Sequence, residues 1–210
     1  DARVEYSGTE VTTDKLGFVE LEAVEGHPLR VSSPGYLPAE VPADRVQTGF
    51  TPAEEPLVVI LTPRVLVGTV TDAKTGQPVA DVTVSAGDIT ATTDDLGHYE
   101  LDYVEPGMQV KFAHDGYKPL PNVAYDGQEQ ADVRLEPFVV TVTVLDAGSG
   151  APLVKASVSS GDQTAETDEA GHATLRAIPS EALIVKCDGY KSQELTYKGE
   201  ETLEAKLEGS

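Results

Sequence analysis

The chain has no tryptophan, one methionine, one cysteine and four histidines among its 210 residues, and each scarcity removes a class of function. With Cys187 alone, no intrachain disulfide can form, so a disulfide-built scaffold is excluded. Cys187 follows Val185 by two residues, which places it on the same strand face, as a small apolar side chain in a core or at its edge. One cysteine and four scattered histidines do not assemble a zinc site. No Gly-x-Ser-x-Gly elbow and no Ser/His pair in a triad context is present, so no nucleophilic catalyst is expected. Basic residues are also few. Lys and Arg number 15 against 36 Asp and Glu, and a net charge of −21 opposes binding to nucleic acid or to anionic lipid. The longest apolar run, Leu57 to Leu61, is far short of a membrane span, so no direct membrane insertion is expected. No basic start followed by an apolar stretch is visible, so any export signal is expected to lie outside these residues or to have been removed.

What the chain does have is internal repetition. Its centre reads Thr93-Asp94-Asp95-Leu96-Gly97-His98-Tyr99-Glu100-Leu101, then Val104-Glu105-Pro106-Gly107, Val110-Lys111-Phe112 and Asp115-Gly116-Tyr117. Asp and Gly around Leu96 suit a tight turn, because Asp can bond its own backbone and Gly can take positive φ. Tyr99 and Leu101, then Val110 and Phe112, have the period of two that turns one strand face to a core. The pattern recurs upstream as Thr13-Asp14-Lys15-Leu16-Gly17-Phe18-Val19-Glu20-Leu21, Val24-Glu25-Gly26, Leu29-Arg30-Val31 and Gly35-Tyr36. It recurs downstream as Thr167-Asp168-Glu169-Ala170-Gly171, Ala173-Thr174-Leu175, Ile178-Pro179, Leu183-Ile184-Val185 and Gly189-Tyr190. Gly17, Gly97 and Gly171 lie 80 and 74 residues apart, longer than the ~20–50 residues of units that bury a core only by stacking. Each copy is therefore domain-sized, with boundaries expected at 1–64, 65–137 and 138–210.

The second copy opens with a strand, Val65 to Asp72, and the third with Val140 to Asp146. These are expected to give Val65, Val67 and Val70, or Val140, Val142 and Val144, to their cores. In register Asp1 falls opposite Asp81, so the first copy lacks its opening strand and the turn after it. Closing strands are expected at Ala131–Glu136 and Thr202–Leu207, and in the first copy at the Leu57–Leu61 run. Between Tyr36 and Leu57, Pro38, Pro42, Pro52 and Pro56 predict a surface loop, since Pro removes ladder donors. Thr62-Pro63-Arg64 and Glu136-Pro137 are the only junctions, so packing should be end to end with little hinge freedom.

Gly68-Thr69-Val70-Thr71-Asp72, Thr75-Gly76-Gln77-Pro78-Val79, Thr93-Asp94, Gly97-His98-Tyr99, Pro106-Gly107 and Gly116-Tyr117 together resemble the carboxypeptidase regulatory-like domain, a transthyretin-like (prealbumin-like) β-sandwich. The resemblance covers the whole second copy. It covers the third with softer residues, Ala173 for Tyr99 and Ser180 for Gly107, and the first only from its second strand onward. It implies an all-β chain of three tandem Greek-key sandwiches of seven strands, transthyretin-like or Ig-like, the first lacking its opening strand. It also implies a bacterial exported protein, extracellular, at the cell surface or periplasmic. Zinc carboxypeptidases that lend the family its name carry a His-x-x-Glu pair, and none of His27, His98, His114 or His172 has Glu at that spacing. The ending Leu207-Glu208-Gly209-Ser210 shares only Gly-Ser with the Tyr-Arg-Gly-Ser of hydroxyisourate hydrolases. Related surface sandwiches carry Lys–Asn crosslinks. Here the opening strands present Val67, Val70, Val142 and Val144, and the one Asn is Asn122 in a Pro-flanked segment, so no crosslink is expected.

Asp14, Asp94 and Asp168, with Gly17, Gly97 and Gly171, are read as structural turn residues. A calcium site wants ~6–8 oxygens, more than Asp94-Asp95 or Asp168-Glu169 can supply, and no cofactor is expected. Gly35-Tyr36, Gly116-Tyr117 and Gly189-Tyr190 are read as turns whose rings pack over a sandwich end with the hydroxyl bonded. His98 and His172 are equivalent strand residues facing solvent. The expected function is a non-catalytic spacer or presentation segment of a larger protein, whose partners are that protein's other domains, an envelope protein or a donated strand. The alternative is a protein- or glycan-binding module, in which an open sheet edge could take a peptide strand. Glycan binding is disfavoured by the absence of Trp and by Tyr and Phe falling at core or turn positions.

Overall fold

The computed structural model describes residues 1–22, 26–46 and 56–210. Apart from one 3-10 turn at Ala43–Arg45, the described chain is all-β, in five sheets.

The middle stretch holds seven strands: β5 (Val65–Asp72), β6 (Thr83–Ala86), β7 (Ile89–Thr92), β8 (His98–Asp102), β9 (Gln109–Ala113), β10 (Val123–Ala124) and β11 (Val133–Leu135). They form a three-stranded sheet ordered β11-β5-β8 and a four-stranded sheet ordered β10-β9-β6-β7. β5 runs antiparallel to β8 and parallel to β11, so this one strand supplies the centre of its sheet. The last stretch repeats the plan with β12 (Val139–Asp146), β13 (Ser157–Ser160), β14 (Gln163–Glu166), β15 (His172–Arg176), β16 (Ala182–Lys186), β17 (Gln193–Thr196) and β18 (Thr202–Leu207), in sheets β15-β12-β18 and β14-β13-β16-β17. Two-residue turns with Gly first, Gly87-Asp88 (φ 59°) and Gly161-Asp162 (φ 52°), join β6 to β7 and β13 to β14, as the right-handed strand twist requires. Each pair of sheets closes on its own apolar core. Leu66, Val70, Val84, Tyr99, Leu101, Val110, Phe112 and Tyr125 lie in one, and Val140, Val142, Val144, Val158, Leu183, Val185, Tyr197 and Leu207 in the other. Cys187 packs half-buried against the second of these.

Two expectations within these stretches are corrected. Val65 and Val67 do not face the core: Leu66 and Val70 are fully buried, whereas Val67 is 38% exposed. The inward position between them is Gly68, where a Cβ would lie 2.0 Å from the Ala131 carbonyl oxygen and 2.8 Å from the Tyr99 ring. Tyr99 fills the space that Gly68 leaves, so the inward register runs through a glycine that an apolar pattern passes over. The looser stretches after Tyr117 and Tyr190 also contain short edge strands, β10 and β17, paired to β9 and β16.

The first stretch holds one sheet among the described residues, ordered β2-β1-β3-β4, from β1 (Arg3–Tyr6), β2 (Thr9–Thr12), β3 (Leu29–Ser32) and β4 (Ala39–Val41). β4 overturns the loop expected after Tyr36 at these three residues: Pro38 and Pro42 flank the strand rather than interrupt it, and it lies at a sheet edge, where Pro is tolerated. Pro52 and the turn around Val24-Glu25 fall outside the described residues. The strands expected at Phe18–Leu21 and Leu57–Leu61 are not formed. Their counterparts β8 and β11 pair through β5, and no such middle strand is found among the described residues of the first stretch. The core is correspondingly small, with Val4, Tyr6, Leu29, Val31 and Val41 buried and Leu21, Val59 and Leu61 half-buried against them.

Candidate functional site

The three Asp turns have one geometry. Asp94 Oδ1 accepts from the N–H groups of Leu96 (2.9 Å) and His98 (2.8 Å). Asp14 Oδ1 accepts from Leu16 and Phe18, both at 2.9 Å, and Asp168 Oδ1 from Ala170 and His172, both at 2.9 Å. With Oδ1 occupied by backbone donors, each carboxylate has one oxygen left. Among the described residues no group of three or more His, Cys, Asp or Glu is placed to hold a metal ion. The N–H donated by His172 leads the effects that lower the Asp168 pKa. His98 and His172 are exposed at the starts of β8 and β15, equivalent strands in separate sheets.

The glycines of these turns differ in what they face. All three have φ between 73° and 83°. A Cβ on Gly97 would meet the Val70 carbonyl oxygen at 2.4 Å, and one on Gly171 would meet that of Val144 at 2.7 Å, whereas Gly17 has nothing within 4 Å. The opening strand lies directly over the turn in the second and third stretches, where Val70 and Val144 donate their N–H groups to the Gly97 and Gly171 carbonyls at 2.8 Å. Just before each Asp, a buried threonine ties two segments together. Thr93 Oγ1 donates to the Val79 carbonyl (2.8 Å) and accepts from the Val82 N–H (2.9 Å), and Thr167 does the same with Leu153 and Ala156.

The Gly-Tyr pairs sit at the ends of the units and lead to the most developed polar cluster in the molecule. Asp72, the last residue of β5, is 2% exposed. Its Oδ1 accepts from the N–H groups of Lys74 and Thr75, each at 2.8 Å. Its Oδ2 accepts from the Tyr117 hydroxyl at 2.9 Å and pairs with Arg176 Nη2 at 2.7 Å. Burial pushes this carboxyl up, but the Thr75 N–H, Tyr117 hydroxyl, Lys74 N–H and Arg176 guanidinium outweigh it and hold the pKa at about 2. Arg176 ends β15, so the cluster ties the last sandwich to the middle one. Lys118 Nζ, 3.3 Å from Glu201 Oε1, spans the same junction. Backbone pairing continues across it: Tyr117 bridges Pro137, and Phe138 donates its N–H to the Gly116 carbonyl at 3.1 Å. Gly116 needs no positive φ, and its N–H is taken by His114 Nδ1 at 3.0 Å.

At the far end of the last sandwich the same receptor exists without an arginine. Asp146 accepts from Gly148 (3.0 Å) and Ser149 (2.6 Å) N–H groups and from the Tyr190 hydroxyl. The Ser149 backbone and hydroxyl lead in holding the Asp146 carboxyl at about 2. Tyr36 has no such aspartate among the described residues; its ring lies 5.2 Å from that of Tyr103, and the Gly35 and Tyr36 carbonyls accept from Arg64 N–H and Nε–H. Gly35 is required there, since a Cβ would sit 2.8 Å from the Tyr103 Cβ. Asp72, Arg176, Thr93 and Thr167 do not stand out as site residues in the sequence. The signal available is repetition: Asp72 and Asp146 end equivalent strands, and Thr precedes Asp in all three turns.

Seven strands in a three-plus-four sandwich, with an Asp-Gly turn beneath the opening strand, agree with the match of residues 65–136 to the family model of the carboxypeptidase regulatory-like domain. Residues 65–136 form a carboxypeptidase regulatory-like domain. The last stretch has the same topology as this regulatory-like domain. No curated protein sequence matches the chain. Among solved structures, the TIE protein of Bacillus anthracis is 18% identical, with TM-score 0.43, over 100% of this chain and 47% of that one. This chain thus spans about half the length of that protein. A streptococcal ancillary pilin is 12% identical, with TM-score 0.35, over 89% of this chain and 76% of that one. A minor pilin of Streptococcus agalactiae is 14% identical, with TM-score 0.32, over 70% and 95%. No helix among the described residues is long and apolar enough to cross a membrane.

Proposed function

We propose that the protein is a non-catalytic spacer: three domains, bounded near Arg64 and Pro137, that hold other parts of a larger exported or surface protein at a set separation. The observation that carries this reading is the Asp72–Tyr117–Arg176 cluster. A carboxylate buried at the end of one sandwich and completed by a guanidinium from the next favours one relative orientation of the two. Backbone bridges at both junctions, Tyr36 to Pro63 and Tyr117 to Pro137, act in the same direction. The Asp and Gly-Tyr turns serve as structural fasteners in this reading, and the strongly acidic surface keeps neighbouring chains apart. Domain-level stiffness is the property to measure. Spin labels placed on exposed Glu100 and Glu194 should give a narrow distance distribution in the wild-type protein, broadened in Arg176→Ala. A broad distribution already present in the wild type refutes the spacer.

A further inference from the structure

We infer that the His114–Tyr117 turn is an acid-operated switch at the junction of the last two sandwiches, in which protonation of the His114 ring turns over the Asp115–Gly116 peptide. The inference does not depend on the spacer reading and rests on a difference among three equivalent turns.

Ser33-Pro34-Gly35-Tyr36, His114-Asp115-Gly116-Tyr117 and Cys187-Asp188-Gly189-Tyr190 occupy the same place in the three units. Each is closed by the same bond, from the tyrosine N–H to the carbonyl of the first residue, at 3.1 Å in all three. Gly35 and Gly189 hold φ of 74° and 82°, the positive value that the third position of a type II turn requires, whereas Gly116 does not. The middle turn therefore has the type I form, in which the peptide joining the second and third residues faces the other way. The middle and last turns share Asp, Gly and Tyr and differ only in their first residue. His114 Nδ1 accepts the Gly116 N–H at 3.0 Å, whereas Cys187 offers in that place only a weak sulfur acceptor. The Ser33 hydroxyl of the first turn is a donor, to the Asp1 carbonyl at 3.3 Å.

An Nδ1 that accepts carries no proton, so the neutral ring holds its proton on Nε2. Acid adds a proton from solvent at Nδ1, and two N–H groups then face each other. Turning over the Asp115–Gly116 peptide withdraws the Gly116 N–H and presents the Asp115 carbonyl, which accepts from the new Nδ1–H. The move needs positive φ at residue 116, which glycine takes without steric cost. It leaves the backbone bridge of the junction in place, because the flipped peptide contains neither the Gly116 carbonyl nor the Tyr117 N–H. In their type II turns the Gly35 and Gly189 carbonyls accept from the Arg64 and Ser210 N–H groups at 2.8 and 3.0 Å, as that of Gly116 does from Phe138 at 3.1 Å. What changes is the His114 ring, which packs edge-on against Tyr117 with centroids 5.1 Å apart and so bears on the tyrosine that grips Asp72.

The new charge meets groups on both sides of the junction. Asp115 adjoins it in the turn, and Arg176, Asp162 and Glu181 line the same cleft, of about 500 Å³, between the two sandwiches. Arg176 is paired with Asp72, whose pKa of about 2 keeps that pair charged throughout the range in which histidine titrates. The remaining charge lining the cleft is negative and does not repel the imidazolium.

The test is nuclear Overhauser spectroscopy on the whole protein labelled with 15N and 13C, from about pH 8 to about pH 5, where histidine takes up its second proton. Near pH 8 the Asp115 and Gly116 amide protons should show the strong mutual contact of a type I turn. Near pH 5 this should give way to the contact between Asp115 Hα and the Gly116 amide proton that marks type II, as that form rises from a minor state below about 10% to the majority. Gly35 and Gly189 should show the second pattern throughout, which also reports that the protein stays folded. His114→Ala, without the acceptor, should be type II at every pH. His114→Asn, whose side-chain oxygen can take the Gly116 N–H and does not titrate, should be type I at every pH. A type I pattern that persists to pH 5 in the wild type overturns the inference. So does a type I turn in His114→Ala, or an acid flip retained in His114→Asn.

Discussion

Replacing Arg176 by alanine should loosen the junction between the last two sandwiches without unfolding either. The guanidinium lies 2.7 Å from a carboxylate that is 2% exposed, but the Arg176 side chain is itself 42% exposed. A hydrogen bond to a charged group contributes about 1.5–3 kcal/mol net, and solvent screening of the exposed partner lowers this to about 1–2 kcal/mol. The carboxylate keeps the Lys74, Thr75 and Tyr117 donors, so the buried charge is not left bare and the loss stays at the junction. Asp72→Asn should cost more, about 2–3 kcal/mol, because an amide cannot accept from Tyr117 and Arg176 while also accepting both backbone N–H groups. Urea denaturation of the two single variants and the double variant gives the coupling, expected at about 1 kcal/mol. Asp146→Asn is the control, since Asp146 has the tyrosine and backbone donors of Asp72 but sits at the other end of the domain that carries Arg176. Its coupling to Arg176 should vanish. A coupling for Asp72 below about 0.3 kcal/mol, the additivity error of such cycles, would refute the latch.

Further expectations follow from the same geometry. Asp72 titrates near 2 in the folded chain against 3.8 as a free carboxyl, so the unfolded chain binds the extra proton between those values. Its contribution of roughly 2 kcal/mol is complete above pH 4 and is lost as pH falls toward 2; stability measured from pH 5 to 2 should drop over that window, and less steeply in Asp72→Asn. Ser180 holds φ 77° where the middle domain has Gly107 at 94°, so Ser180→Gly should raise stability by up to about 1 kcal/mol, read as an increased Tm. Asp94→Ala should cost on the order of 1 kcal/mol through its two turn bonds, and millimolar calcium should shift the Tm of neither form. Gly97→Ala and Gly17→Ala impose similar φ strain, yet only the first drives a Cβ to within 2.4 Å of a carbonyl oxygen. Gly97→Ala should therefore be the costlier by about 1 kcal/mol or more, and equal losses would contradict the described packing over Gly97.

Strand alternation and turn chemistry make most of this fold legible in the amino-acid sequence. The Asp turns repeat because their bonds are local, from Asp94 to residues two and four positions on, and local bonds leave a local sequence mark. The register of β5 leaves no such mark, because Gly68 takes an inward place with no apolar side chain and Tyr99 fills it from the neighbouring strand. β10 and β17 are hard to read for a related reason: as short edge strands they need only one partner and little burial. The junction cluster is half legible. Tyr117 stands out by repetition, and so could Asp72, but Arg176 has no counterpart of its charge, since the equivalent place in β8 is Asp102. A contact spanning 104 positions between sandwiches has no periodicity to betray it.

The opening strand emerges as the part on which both the sandwich and the chain of sandwiches depend. In the second and third units it is the only strand that joins β8 to β11 or β15 to β18. It also covers the turn glycine, and its last residue is the aspartate that the Gly-Tyr tyrosine grips. Among the described residues of the first unit all three are missing together: the two flanking segments are unpaired as strands, Gly17 faces open space, and Tyr36 packs on Tyr103. The sheet that persists there, β2-β1-β3-β4, is antiparallel throughout and pairs β1 with β2, β1 with β3 and β3 with β4, so it forms without a parallel partner. The other sheet has no local route, because its two outer strands are a parallel and an antiparallel partner of the same middle strand and never of each other.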